Sequence, residues 1–404
     1  MLHSQPSSDY VQVFVGLDVH KETIRLAALH ERHFVFERTV KTTNLDVLRK
    51  TLVKLRNKYG VLKACYEASG AGYGLQRQLG EWGFSCEVIA PSLMPTRPGD
   101  RRKTDEYDAR KLAEFFANGQ LTSIRIPTEE EEAVSDLVRC RFATKKTQIK
   151  AKHRLVKFLA KKGKSCAAAA WTNDYLAWLS ALSLDAVADN LTLTYYREHL
   201  EHVSKQLECI DASILAVSKE EPYSERVSLL RGFYAVDTLT AMVLVSQLGD
   251  IQRFRTPRQV MSYVGLTPSM NMSGGSKNRA GSITKTGNSH SRHVLVQAAW
   301  NYLKPVRETK SKALLEKQRD LPSWAVEIAD TARERVRRKM WKIAERRGNR
   351  IAIPAGAREL AGFLAAALMR LADVKRDLEE ASSKVSGIVD RTVGCPAIRL
   401  HSQE

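Results

Sequence analysis

The stretch VQVFVGLDVHKETIRLAALHERHFVFERTV, residues 11–40, decides the fold. VQVFVGLDV (11–19) is a short apolar run rich in β-branched residues, which predicts a buried strand. TIRLAALH and HFVFERTV follow at short spacing, so the three runs predict a β-meander. Beyond them the period changes. Leu45, Leu48, Leu52 and Leu55 recur at helical spacing across 44–59, with Asn44 placed as an N-cap and Gly60 as the stop. VLKACYEA (61–68) predicts a second buried strand, 72–82 a helix, and SCEVIAP (85–91) a third buried strand ended by Pro91. After the loop SLMPTRPGDRRK, the stretch RRKTDEYDARKLAEFF (101–116) opens another helix. The order βββαβαβα alternates as an α/β layer fold does.

The rest of the chain reads differently. Residues 128–161 are charged and contain neither Gly nor Pro, and 163–190 hold an Ala/Trp-rich helical segment. A heptad follows: Leu193, Tyr196, Leu200, Val203, Leu207, Ile210, Ile214 and Val217. Steps alternating between three and four residues predict a coiled-coil seam, closed either on the preceding long helix or on a second chain. Residues 225–300 pair a helix-rich segment with a Gly/Ser/Lys-rich loop, NMSGGSKNRAGSITKTGN, and a helix starts near His290. Further helices are expected at 332–347 and 356–372. These patterns divide the chain into a disordered tail (1–10), an α/β domain (11–125), a helical region (126–220), a mainly α-helical domain (221–375) and a C-terminal tail (376–404).

Charge narrows the partners. The 404 residues carry a net charge of +19. Basic residues cluster at 144–164, 277–292 and 332–350, which favours a polyanion, nucleic acid first. An anionic membrane surface would need an amphipathic anchor, and none is evident. The longest apolar runs, such as LAGFLAAALM, are about half a membrane span. The N-terminus MLHSQPSSDY has no signal-peptide pattern. Six scattered cysteines without CxxC predict reduced thiols in a cytoplasmic protein.

Four acids stand out against this basic background. Asp18 ends the first predicted strand and Glu67 ends VLKACYE, while Asp105 and Asp108 open the helix after the last strand. Acids in a first helical turn complement the helix dipole, which is explanation enough for the pair alone. A carboxylate at a buried strand end is costly unless paired or bound to a cation, and ligands of open α/β sheets gather at strand C-termini. Four acids from three such places fit hard divalent cations, Mg2+ with Mn2+ as a substitute, and two such ions stabilise both oxygens of a phosphodiester displacement. Arg101, Arg102 and Lys103 would then hold backbone phosphates.

GLDVHK (16–21), YEASG (66–70) and KTDEYDARKLA (103–113) resemble the RuvC-like half of the DEDD-type insertion-sequence transposases. These are the serine-containing, bridge-RNA-guided recombinases, related to the Piv DNA invertase. The resemblance implies a RuvC/RNase H-like domain whose Holliday-junction-resolvase-like metal site falls on Asp18, Glu67, Asp105 and Asp108. GLTPSMNMSGGSKNRAGSITKTGNSHSRHVLVQAA (265–299) carries Lys277, Arg279, Lys285 and Arg292 and no acid. Read physically, it is a basic, nucleic-acid-contacting loop, or a hydroxyl among cations able to attack a phosphate. It is similar to the family's second, transposase domain, which implies a serine nucleophile at Ser273, with Ser269 the rival and Ser276 a distant third. IPAGARELAGFLAAAL (353–368) resembles the extension of one subgroup. One departure is the turn Tyr234, Ala235, Val236, Asp237, where the family carries a PGVG hairpin. Both glycines are gone, and Asp237 is the residue there that tolerates left-handed backbone.

The resemblance implies an RNA-guided DNA recombinase, with DNA and a structured non-coding guide RNA as partners. Self-association as a dimer or tetramer would run through the heptad region. A metal-dependent nuclease or Holliday-junction resolvase without a covalent serine step is the alternative. A catalytically silent nucleic-acid-binding protein is the third reading. An actin-like ATPase is disfavoured by the lack of a phosphate-binding glycine motif.

Overall fold

The computed structural model describes residues 12–95, 105–271, 279–304 and 309–393; the side chains of 105, 106, 270, 271, 279, 280 and 383–393 lie outside that description. The chain divides between Thr128 and Glu129 into two units.

The first unit is a mixed five-stranded sheet between helices. Its elements are β1 (Gln12–Val19), β2 (Thr23–His30), β3 (His33–Lys41), α1 (Leu45–Tyr59), β4 (Val61–Glu67), α2 (Gly74–Glu81), β5 (Ser85–Ile89) and α3 (Asp105–Ala117). The sheet order is β3-β2-β1-β4-β5. The meander β1-β2-β3 is antiparallel, and β1, β4 and β5 run parallel. Glu31 and Arg32, both at positive φ, make the two-residue turn between β2 and β3. Gly60, at φ 94, closes α1, as expected; Asn44 sits at its N-cap position but makes no side-chain capping bond.

Alternation decides which face each strand residue serves. Val13, Val15 and Leu17 join Leu62, Ala64 and Tyr66 in the core under α1 and α2, where Leu48, Leu52 and Leu79 are fully buried. The intervening positions face α3. Gly16 and Ala27 pair across β1 and β2, Gly16 and Cys65 across β1 and β4, and Leu112 of α3 packs with Cys65 and Ile89.

The second unit is mostly helical: α4 (Glu129–Lys161), α5 (Asn173–Ala181), α6 (Val187–Val217), α7 (Ser224–Arg231), α8 (Thr238–Leu248), α9 (Pro257–Tyr263), a hairpin of β6 (Pro268–Asn271) and β7 (Arg279–Ile283), then α10 (Ser289–Trp300), α11 (Lys312–Gln318), α12 (Ser323–Arg347) and α13 (Asn349–Val393). The heptad occupies α6 and closes within the chain. Arg141 pairs with Asp211 at 2.5 Å, Gln148 donates to Ser204 Oγ at 3.0 Å, and Lys162 pairs with Asp189 at 2.7 Å. Rising numbers on α4 meet falling numbers on α6, so the two helices are antiparallel. Leu193 and Leu200 are buried with Ala151, Leu155 and Leu159.

Three further features differ from the sequence reading. β6 ends on the first residue of the Gly/Ser/Lys-rich segment and β7 lies within it, both too short and polar to show a strand period. Residues 376–393 continue α13 as helix instead of starting a tail. Helical regions 126–220 and 221–375 share one core, since Val138 and Ile214 lie in the same cluster as Val243 and Leu364. Residues 349–382 are long and apolar enough to cross a membrane, yet 67% of their most apolar window is buried inside the chain. A Cβ at Gly356 would collide with Met340, so the glycine lets α13 lie directly on α12.

Candidate active site

Asp18 and Glu67 of the first group of candidate residues stand at one end of the sheet. Leu17 and Tyr66 are register partners in the parallel pair β1/β4, so the next rung carries Asp18 and Glu67 side by side. Both point to the α3 face, because Gly16 and Cys65, two residues earlier, do so. α3 is pressed onto that face: a Cβ at Gly16 would collide with Ala109 O and Ala113 N, and Cys65 Sγ donates to Leu112 O at 3.8 Å. Phe14 meets Phe116 edge to face with ring centroids 5.7 Å apart. Forward along β1, from Phe14 to Gly16, the facing residues on α3 run backward, from Phe116 to Ala109. The next step brings Asp18 under the first turn of α3, where the helical period puts Asp108 on the stripe that carries Leu112.

Asp18 is 18% exposed, and His20 Nε2 lies 3.1 Å from its Oδ2. Glu67 is exposed and Asp108 half-buried. Asp105 is the first residue of α3, and its side chain is outside the described set, as are residues 101–104 with Arg101, Arg102 and Lys103. Among the described residues, no three His, Cys, Asp or Glu side chains are gathered closely enough to hold a metal. The donor type still fits a hard divalent cation, since two strand ends of one sheet edge carry carboxylates.

The brace of this edge was not read from the sequence. Asp18 pairs in register with Arg25. Arg25 donates to Glu37 Oε2 at 2.9 Å and to Thr39 Oγ1 at 3.1 Å, and Arg110 of α3 bonds Glu37 Oε1 at 2.5–2.7 Å. Burial pushes the Glu37 carboxyl up, but Arg110 and Arg25 outweigh it and hold it below the ordinary value. The available signal was Arg110, two residues beyond Asp108, and the acid inside HFVFERTV.

The second group stands on the β6/β7 hairpin. Gly265 (φ 68) and Gly287 (φ 69) cross at its base, where a Cβ on either would strike the opposite backbone. Arg292 Nη1 donates to Val264 O at 2.9 Å and to Thr286 O at 3.1 Å, so this arginine braces the hairpin from within. Asn288 caps α10 through Ser291 N at 2.9 Å and donates to Gln247 Oε1 at 2.9 Å. Gln247 in turn donates to Ser135 Oγ at 2.7 Å in the buried interior. Ser269 Oγ donates across the hairpin to Ser282 O at 3.1 Å. Lys285 is exposed with φ 57. Ser273, Ser276 and Lys277 fall outside the described residues, as does the side chain of Arg279.

The turn at 234–237 puts left-handed backbone at a residue other than the aspartate. The left-handed residue is Ala235, φ 64, whereas Asp237 is extended (φ −99, ψ 178) and caps α8 by accepting from Thr240 N at 2.7 Å. The turn's carbonyls are held from the interior: Tyr302 donates to Tyr234 O at 3.0 Å, Lys317 to Val236 O at 3.1 Å and Gln318 to Gly232 O at 2.9 Å. Burial, with Arg231 nearby, lowers the pKa of the Lys317 ammonium.

Comparison with known proteins covers both parts of the chain. Residues 15–162 match the DEDD-type IS110 transposase family model, and residues 227–313 match the model described as "Transposase IS116/IS110/IS902 family". The putative transposase y4qE of Sinorhizobium fredii (strain NBRC 101917 / NGR234) is 33% identical over 366 residues, 88% of each chain. The transposase for insertion sequence element IS1533 of Leptospira borgpetersenii is 30% identical over 341 residues, covering 83% of this chain and 98% of its own. A transposase for IS1111A of Coxiella burnetii is 24% identical over 316 residues, 74% of this chain and 80% of its own. An acid-bearing α/β unit followed by a helical unit, each matched to transposases, defines an enzyme of DNA strand cleavage and transfer. The chain belongs to the IS116/IS110/IS902 family of insertion-sequence transposases.

Proposed function

We propose that this transposase is an RNA-guided DNA recombinase in which a RuvC-like acid site and a serine act in one strand exchange. The acid half rests on a single observation, the shared rung of Asp18 and Glu67 beneath the first turn of α3. Asp18, Glu67, Asp105 and Asp108 would hold Mg2+, with Mn2+ as a substitute, and the bound ion would neutralise charge developing on a phosphodiester. His20 orients the Asp18 carboxylate. Arg25 and Arg110, joined through Glu37, fix β2, β3 and α3 beneath it. Arg101, Arg102 and Lys103 hold the strand by its phosphates without reading sequence.

In the serine half, Ser273 Oγ attacks phosphorus and gives up its proton. The bond from phosphorus to the deoxyribose oxygen breaks, that oxygen takes up a proton and leaves as a hydroxyl, and the strand end stays on the protein as a phosphoserine ester. Ser273 is preferred because the Ser269 hydroxyl already spans the hairpin to Ser282 O. Lys277, Arg279, Lys285 and Arg292 follow Ser273 in the sequence and would supply positive charge to the reaction. A net charge of +19 suits a protein that holds a structured guide RNA and DNA together, with base pairing reading the sequence. Self-association into a dimer or tetramer would use surfaces other than the heptad seam, which α4 already covers.

The test is a DNA challenge of the full-length protein with its co-purifying RNA and Mg2+. A protein–DNA adduct that survives denaturation is expected, absent in Ser273→Ala. Asp18→Asn should lose cleavage. An adduct persisting in Ser273→Ala removes the serine assignment, and adduct-free cleavage by that variant supports the metal-dependent nuclease or resolvase reading. Activity undiminished after ribonuclease treatment removes the guide.

A further inference from the structure

A hollow at the foot of the hairpin shares Lys285 and Arg292 with the basic serine stretch and extends from them along α10. The open hollow of about 720 Å3 is bounded by Ile283 at the end of β7, Lys285, one side of α10, Lys304 and Pro354. Lys285, Arg292, His293 and Lys304 line it, and among the described residues no acid does. At its far end stands Trp300, 51% exposed. Ser289, His293, Val296 and Trp300 share one face of α10 at steps of three and four, and this face lines the hollow with Lys285 and Lys304. Arg292 stiffens the wall through its bonds to Val264 O and Thr286 O. Lys304 Nζ is steadied by Asn301 Oδ1 at 3.0 Å.

We infer that this hollow holds an unpaired nucleotide of the DNA strand, its base stacked on Trp300 and its flanking phosphates on Lys285 and Lys304. An exposed indole with cations on both sides is what a single strand needs: a π-face for the base and positive charge for the backbone. The volume is within the range of small-ligand sites. A second copy of this chain is a poor occupant, because it would bring its own excess of positive charge to a surface lined by cations. DNA is favoured over RNA because Ile283 and Lys285 belong to the hairpin that carries Ser273. β7 spans roughly 13 Å at ~3.3 Å per residue, a few nucleotides along a strand. This inference rests on the proposed DNA-handling role of the hairpin and extends it to strand positioning.

The experiment measures binding of fluorescent single-stranded and duplex DNA of one sequence to the full-length protein without divalent metal, so that no cleavage step contributes. Trp300→Ala should weaken single-strand binding about tenfold or more, with Trp300→Phe restoring most of it and duplex affinity unchanged within about twofold. Lys304→Gln, a surface change that spares the indole, should weaken single-strand binding and flatten its salt dependence by about one unit. Equal single-strand affinity in wild type and Trp300→Ala overturns the inference, as does equal loss for duplex. If only a single-stranded RNA of the same sequence loses affinity, the DNA assignment is wrong. Loss of adduct formation in Ser273→Ala with stacking intact, or the reverse, separates failure of the catalytic proposal from failure of this one.

Discussion

Ala235 holds a conformation that its own methyl group opposes. At φ 64 an L-residue with a Cβ is strained by about 1–2 kcal/mol, and the interior bonds from Tyr302 and Lys317 to neighbouring carbonyls hold the turn there. Ala235→Gly is therefore expected to raise the thermal midpoint, with a gain of up to about 1 kcal/mol after the entropy cost of glycine in the unfolded chain. An unchanged or lower midpoint would mean that the methyl's packing outweighs the strain. Gly16 is the converse case. Gly16→Ala puts a carbon into Ala109 O and Ala113 N, which overpacking places at about 1–3 kcal/mol of lost stability. It also lifts the first turn of α3 from Asp18, so metal-dependent DNA cleavage should fall far more than the thermal midpoint does. Cleavage at the wild-type rate would show that the acids do not need that contact.

Between elements, α12 and α13 are joined by one carboxylate. Glu359, 8% exposed, meets Lys339 at 2.5 Å and Arg335 at 2.8 Å. Burial pushes its pKa up, and Lys339, Arg335 and Arg358 outweigh burial and hold it below its ordinary 4.5. A carboxyl depressed on folding contributes stability above its unfolded value and loses it as pH falls through the folded value. Glu359→Gln is thus expected to cost about 1–2 kcal/mol near neutral pH, with the gap to wild type closing as pH drops below 4.5. Denaturant unfolding at several pH values measures this, and a pH-independent gap would assign the loss to packing. The hairpin shows a similar economy, because Gly265, Gly287 and Arg292 fix its base while its strands are only four and five residues long.

Across the whole molecule, the excess of 64 Lys and Arg over 45 Asp and Glu governs how it meets DNA. Affinity for duplex DNA should fall by about a thousandfold or more between about 50 and about 200 mM salt if six or more phosphates are neutralised. A shallow slope would point to a binding mode dominated by uncharged contacts. The heptad teaches a lesson at the same scale. Steps of three and four specify an apolar seam but not its partner, and the partner is α4, reached through a turn and α5. Arg141 and Asp211 are 70 residues apart in sequence, beyond any local pattern.

The sequence by itself determined the order βββαβαβα, because each strand and helix there has its own apolar period. It also determined which acids stand at strand and helix ends, because position along an element is local information. The tertiary structure alone decided that Asp18 and Glu67 share a rung and lie under α3. That follows from the β1/β4 register and from a glycine at 16 small enough to admit the helix, and both are relations between distant segments. It also decided that Arg25, Glu37 and Arg110 form one brace, that Arg292 supports the hairpin, and that Ala235, not Asp237, takes the left-handed turn. Side-chain partnership and backbone strain arise only when segments far apart in sequence are packed against one another, and no local period records them.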